Sequence, residues 1–149
     1  MRRIRLLWVG KTRERYLAEG VETYLARLRP MARVEVVEVR DERGTDPGAA
    51  RTREGERILK SAGGGDFVLL DEGGREMSSR ELAAFAGERD SLTFVVGGAW
   101  GVSEEVRRAA GSRLSLSRMT LTHEMARLVL LEQLYRALMI QTGREGYHH

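Results

Sequence analysis

Five short apolar runs recur along this chain, each followed by a stretch whose apolar residues fall at helical spacing. That alternation limits the fold more than any other feature. The runs are residues 4–9, 34–39, 67–70, 92–96 and 114–116. After the first, Leu17, Val21, Tyr24, Leu25 and Leu28 share one stripe of a helix that must end by Pro30. Residues 49–61 read as a second helix, stopped by Gly63-Gly64-Gly65. Ser78 and Glu81 stand at capping-box spacing before a third. Ser103 opens a fourth, with Glu104 and Glu105 suited to its first turn and Gly111 at its end. Thr122 caps the fifth, which runs to the neighbourhood of Thr142 and Gly143. The order βαβαβαβαβα predicts an α/β fold, a parallel sheet with helices on both faces, in a single domain over residues 1–149. The doubled valine Val36-Val37 shifts the alternation of the second strand and predicts a bulge there, and the polar stretch 41–48 predicts a mobile loop.

Composition narrows the classes. No cysteine is present, so disulfides and thiolate metal sites are excluded. Arginines and acids interrupt every apolar run before the roughly 18–20 residues a membrane span needs. Behind Arg2, Arg3 and Arg5 the apolar stretch covers only residues 6–9, too short for a secretory leader, so a cytoplasmic protein is expected. Net charge is +3, with 15 basic and 10 acidic side chains in residues 1–60 against 10 and 12 in the remainder. The basic first part permits a phosphate-contacting face. Lysine occurs only at Lys11 and Lys60, an arginine preference that a heat-adapted or GC-rich genome also produces.

Three apparent motifs fail. Gly10-Lys11-Thr12 lacks the earlier glycine of a phosphate loop, because Arg5 occupies that position. His123-Glu124-Met125-Ala126-Arg127 begins like a zinc-protease helix, but Arg127 stands where the second histidine must be, so no metal is expected. His123 is then either a ligand contact or a capping and packing residue. Gly97-Gly98-Ala99-Trp100-Gly101 follows a strand but does not match the dinucleotide fingerprint; doubled glycine at a strand end suits close backbone approach to a ligand, or a tight connection. In the last helix Met125, Leu128, Val129, Leu130, Leu131, Leu134, Tyr135, Leu138, Met139 and Ile140 cover more than one face. Burial against the sheet and a second subunit, or a central helix in a monomer, would each account for this. Tyr147-His148-His149 reads by itself as a tail or the remnant of a tag.

Taken in order, these residues resemble the RlmH-type ribosomal RNA methyltransferases of the knotted SPOUT superfamily. The matching pieces are Leu69-Leu70-Asp71 with Gly74, Phe94-Val95-Val96-Gly97-Gly98 with Gly101, and Leu114-Ser115-Leu116-Ser117. Met119-Thr120, His123, Arg127, Glu132, Tyr135-Arg136-Ala137 and Tyr147-His148 also match, so the likeness covers the whole chain and is densest from residue 67. The chain departs from some members at Ala99-Trp100 and at Glu124.

The resemblance implies a trefoil knot, an exception to the rule that chains do not thread loops. It implies S-adenosylmethionine (SAM) held by Leu70, by Gly97, Gly98 and Gly101, and by Leu116-Ser117-Arg118-Met119-Thr120-Leu121. It also implies a homodimer that methylates N3 of a pseudouridine in 23S rRNA within the 70S ribosome. In that reading His148 accepts the N3 proton and Tyr147 orients or stacks on the base, with His123 beside them. Arg127 and Arg136 hold phosphate or the developing imide anion, unless Arg136 merely pairs with Glu132. Without the resemblance, a non-catalytic ribosome-associated binding protein and a nucleotide-dependent metabolic enzyme both stay open.

Overall fold

The computed structural model describes residues 3–44 and 46–143, and the expected elements follow in the expected order. They are β1 (Arg3–Val9), α1 (Arg15–Leu28), β2 (Arg33–Val39), α2 (Pro47–Ala62), β3 (Val68–Glu76), α3 (Ser79–Gly87), β4 (Ser91–Val96), α4 (Glu104–Ala109), β5 (Ser112–Ser115) and α5 (His123–Gln141). The strands form one sheet in the order β2-β1-β4-β3-β5, parallel at every pairing. A parallel sheet is covered on both faces, and the side-chain alternation of the strands divides the core accordingly. Ile4, Leu6 and Trp8 of β1 and Phe94 of β4 face α1, α3 and α5, where Leu25, Leu82, Leu130 and Leu134 meet them. Leu7, Val9, Leu69 and Val95 face α2 and α4, against Ile58 and Val106. Each such side chain contributes about 1.5–3 kcal/mol by leaving water.

The sheet corrects two sequence expectations. β2 carries no bulge: its pairing with β1 is regular from Arg3 and Arg33 to Val9 and Val39. The doubled valine instead changes the covered face, because Val34 and Val36 pack on one core and Val37 and Val39 on the other. β3 does not stop at Leu70. Leu70 and Arg75 both pair with Leu114, so residues 71–74 form a detour before the strand resumes. Gly74 makes this possible, since a Cβ there would lie 2.7 Å from the backbone carbon of Arg113.

Caps follow the sequence closely. Asp46 accepts from Gly48 N–H with Pro47 in the first turn of α2, and the left-handed Gly63 ends that helix. Ser78 and Glu81 form the full capping box, and Ser103 and Thr122 cap α4 and α5. The polar connection before α2 is pinned rather than loose in its described residues: Glu42 pairs with Arg57 at 2.6 Å and with Arg53 at 3.2 Å, and Asp41 with Arg13 at 3.2 Å.

The apolar circumference of α5 is largely used within one protomer. It lies against the sheet with α1 and α3 on either side, and Leu131 and Leu138 are both buried in the core. Met125 and Val129 are half-buried and belong to neither core cluster.

Candidate functional site

In a parallel sheet every strand ends at the same edge, and ligands bind where connections reverse direction along it. Here the chain steps inward from β3 to β4 and then outward past β3 to β5. The detour within β3 and the segments following β4 and β5 converge with the start of α5 on a cavity of about 470 Å³. Leu70, Gly97, Gly98, Gly101, Leu116, Ser117, Met119, Thr120, Leu121 and His123 all line it. Arg118 does not: its side chain is 87% exposed and lies 3.5 Å from Glu76.

Local hydrogen bonds set the walls. Gly101 N–H donates to Gly98 O at 3.0 Å and closes the turn after β4. A Cβ on Gly97 would lie 2.7 Å from Val102 Cγ1, and one on Gly98 2.9 Å from Val9 Cγ1. The doubled glycine is therefore required by the protein's own packing, and valine at either position would disturb the turn itself rather than only the cavity. Ser117 Oγ accepts from Met119 N–H at 2.9 Å, and Ser115 Oγ donates to Ser117 O at 3.0 Å, fixing the last wall. Thr120 Oγ1 donates to Glu72 at 2.7 Å, tying that wall to the β3 detour.

The charged groups divide into two sets. Asp71 lines the cavity and pairs with Arg113 at 3.0 Å and Arg107 at 3.5 Å. Burial pushes its carboxyl up, but the Gly73 N–H and the two guanidiniums outweigh burial and hold it below the ordinary range. His123 is lowered below 6.5, first by burial and then by the Arg127 charge, against the raising effect of Glu124.

The second set lies beneath the cavity and was not legible as such. Arg127 is fully buried. Its guanidinium donates to Val9 O, to Gly10 O at 3.1 Å and to Thr12 Oγ1 at 3.0 Å, and stands 5.0 Å from the Trp8 ring centroid. Burial pulls it down to about 10, so it remains charged at neutral pH. The phosphate or imide role expected for Arg127 needs a guanidinium open to a ligand, and this one is buried, with both terminal nitrogens donating to the end of β1 and the connection after it. Glu124 accepts from Arg13 N–H at 2.8 Å and Glu14 N–H at 2.9 Å. Arg136 lies 3.4 Å from Glu132, one helical turn away. Tyr147 and His148 lie outside the described residues.

Asp71 and Glu72 also line the cavity; the signal for them in the sequence is a pair of acids directly after the apolar run 67–70. Among the described residues no cluster of His, Cys, Asp and Glu is arranged to hold a metal ion, and no helix is long and apolar enough to cross a membrane.

A family described as "Predicted SPOUT methyltransferase" matches residues 2–148. A protein of Geobacter sp. (strain M21) named Ribosomal RNA large subunit methyltransferase H is 48% identical over 153 residues, covering 99% of each chain. One of the same name from Symbiobacterium thermophilum is 49% identical over 160 residues, covering 98% of this chain and 99% of its own. In fold the chain is similar to tRNA (m1G37) methyltransferase from Aquifex aeolicus, with TM-score 0.55 and 16% identity over 89% of this chain and 69% of that one. It is likewise similar to a methyltransferase from Legionella pneumophila solved with SAM bound, with TM-score 0.53 and 14% identity over 94% and 66% of the two chains.

Proposed function

Because the chain belongs to the SPOUT methyltransferases, we propose that it transfers a methyl group from SAM to RNA of the large ribosomal subunit. The finer reading is N3 of a pseudouridine in 23S rRNA, reached on the assembled 70S ribosome by a cytoplasmic homodimer. The observation that carries it is the cavity where the β3 detour meets the segments after β4 and β5. Its size suits a nucleoside-sized ligand, and it combines apolar walls at Val96, Leu116 and Leu121 with backbone of the glycine turn. Asp71 is offset by Arg107 and Arg113, which leaves Glu72 as the carboxylate able to favour a cationic ligand, and with the apolar walls and glycine-turn backbone the residues present fit SAM. When bound, SAM supplies an electrophilic methyl group. The protein's tasks are to align the acceptor nitrogen and to take its proton. The path of residues 116–121 back across the end of β3, held by Thr120 on Glu72, supports a knotted C-terminal region.

The test is titration of the protein with SAM, followed by transfer of labelled methyl to large-subunit particles lacking the modification. Failure to bind SAM, or binding without transfer to any RNA, would reject this function. The pH dependence is specific. An imidazole lowered in the folded chain takes its proton more readily when unfolded, so stability rises with pH in the window beneath 6.5 and levels off above it. A protonated His123 also repels a sulfonium, so SAM affinity is expected to weaken as pH falls through that window, by less than about tenfold. His123→Asn is expected to flatten the profile.

For the homodimer, the half-buried Met125 and Val129, one turn apart on α5, supply the unclaimed apolar stripe. Val129→Glu is expected to yield a folded monomer by ultracentrifugation. Charges at Leu131 or Leu138 would instead unfold the core, since both are buried within the protomer. A Val129→Glu protein that sediments as wild type would exclude this face.

A further inference from the structure

Among the described residues the exposed large hydrophobic side chains are Tyr16, Trp100 and Met119, at 64%, 41% and 79% exposure. All three follow the carboxyl ends of strands: Tyr16 after β1, Trp100 after β4 and Met119 after β5. Met119 belongs to the cavity described above. Tyr16 does not, and it stands in the first turn of α1 beside Arg15, whose side chain is 93% exposed and pairs with the exposed Glu19 at 3.2 Å, and close in sequence to the exposed Lys11. The β1–α1 connection that bears Lys11 and leads into Arg15 and Tyr16 is held by the start of α5. Glu124 takes the amide protons of Arg13 and Glu14, and Arg127 holds the carbonyls of Val9 and Gly10 and the hydroxyl of Thr12. The same helical turn presents His123 to the cavity. A cationic, aromatic loop is thus fixed in place next to the glycine turn, with Val9 packed on Gly98.

We propose that residues 11–16 form an RNA-docking element, with Lys11 and Arg15 on phosphates and the Tyr16 ring stacked on an unpaired base beside the methylated one. This deepens the rRNA reading and rests on it. Cations interleaved with an exposed aromatic side chain match single-stranded RNA, whose bases stack on such rings while its phosphates take the arginines and lysines. An interface with another copy of the chain would gain little from placing Lys11 and Arg15 at its centre.

The experiment measures equilibrium binding of wild type, Tyr16→Ala, Tyr16→Phe and Lys11→Ala/Arg15→Ala to unmodified large-subunit particles, at two salt concentrations, with SAM affinity and sedimentation alongside. Tyr16→Ala is expected to weaken particle binding about tenfold and Tyr16→Phe hardly at all, because the ring and not the hydroxyl stacks. The double variant is expected to lower both affinity and its salt dependence. SAM affinity and sedimentation are expected to stay unchanged in every variant. Wild-type particle binding in all of them overturns the proposal, as does a change in association state, which would assign the surface to a second copy. If wild type binds particles through these residues yet transfers no methyl, the docking element stands and the catalytic reading fails. If wild type does not bind particles, both fall.

Discussion

A chain ended at Gly146 is expected to bind SAM as tightly as the full chain and to transfer methyl roughly 10²–10⁴-fold more slowly. The expectation comes from what the cavity lacks. Its acids are poorly placed as bases: Asp71 is held low by Gly73 N–H, Arg113 and Arg107, and Glu72 already accepts from Thr120. His123 is the one imidazole among the described residues, and burial and Arg127 lower its affinity for a proton. These observations leave room for the role that the family resemblance implies and that the proposed function adopts, His148 taking the N3 proton and Tyr147 positioning the base. His148→Ala is expected to show a large part of the truncation loss, and raising the pH is expected to restore some of it. Full transfer by the truncated chain would move the acceptor role to His123.

Arg127→Ala is expected to cost about 3–5 kcal/mol, through lost charge-assisted hydrogen bonds, stranded acceptors and the cavity left behind. For a chain of this size that lowers the melting temperature by roughly 10 °C or more. Carbonyls at Val9 and Gly10 would lose their donor at the end of the interior strand β1, while Glu124 would lose the charge of Arg127. Arg127→Lys is expected to recover only part, because an ammonium cannot reach three separate acceptors in the fixed guanidinium geometry. Calorimetric melting separates this from a substrate-contacting role. A variant that melts like wild type but turns over slowly would return Arg127 to the reaction.

The sequence exposed the elements because each level agreed: period-two or continuous apolar runs, capping side chains and glycine stops all pointed to the same boundaries. The cavity was legible for a related reason, since loops that leave parallel strands all reach one edge. What stayed hidden depends on partners far apart in the chain. Arg127 looked like a helix-borne phosphate ligand until its acceptor Gly10, 117 residues earlier, was seen. Likewise Gly97 and Gly98 suggested ligand approach, and the reason for them lies in Val102 and Val9. Spacing also cannot tell a helix flanked by two others from one awaiting a second subunit, and in α5 the apolar Leu131 and Leu138 are buried within the protomer. The β3 detour escaped because Gly73-Gly74 has the composition of an ordinary turn, and only pairing on β5 reveals that the strand continues.

The position of α5 also bears on how the chain is made. Its Leu130, Leu131, Leu134 and Leu138 complete the core on the side of α1 and α3, whereas the opposite core is assembled from residues up to Val106. During synthesis, one face of the sheet can close early while the other, with only α1 and α3 in place, keeps Ile4, Leu6 and Phe94 partly uncovered until the last helix has emerged. Such half-covered sheets are prone to aggregate. A nascent chain stalled before residue 130 is thus a form in which this protein most needs a chaperone.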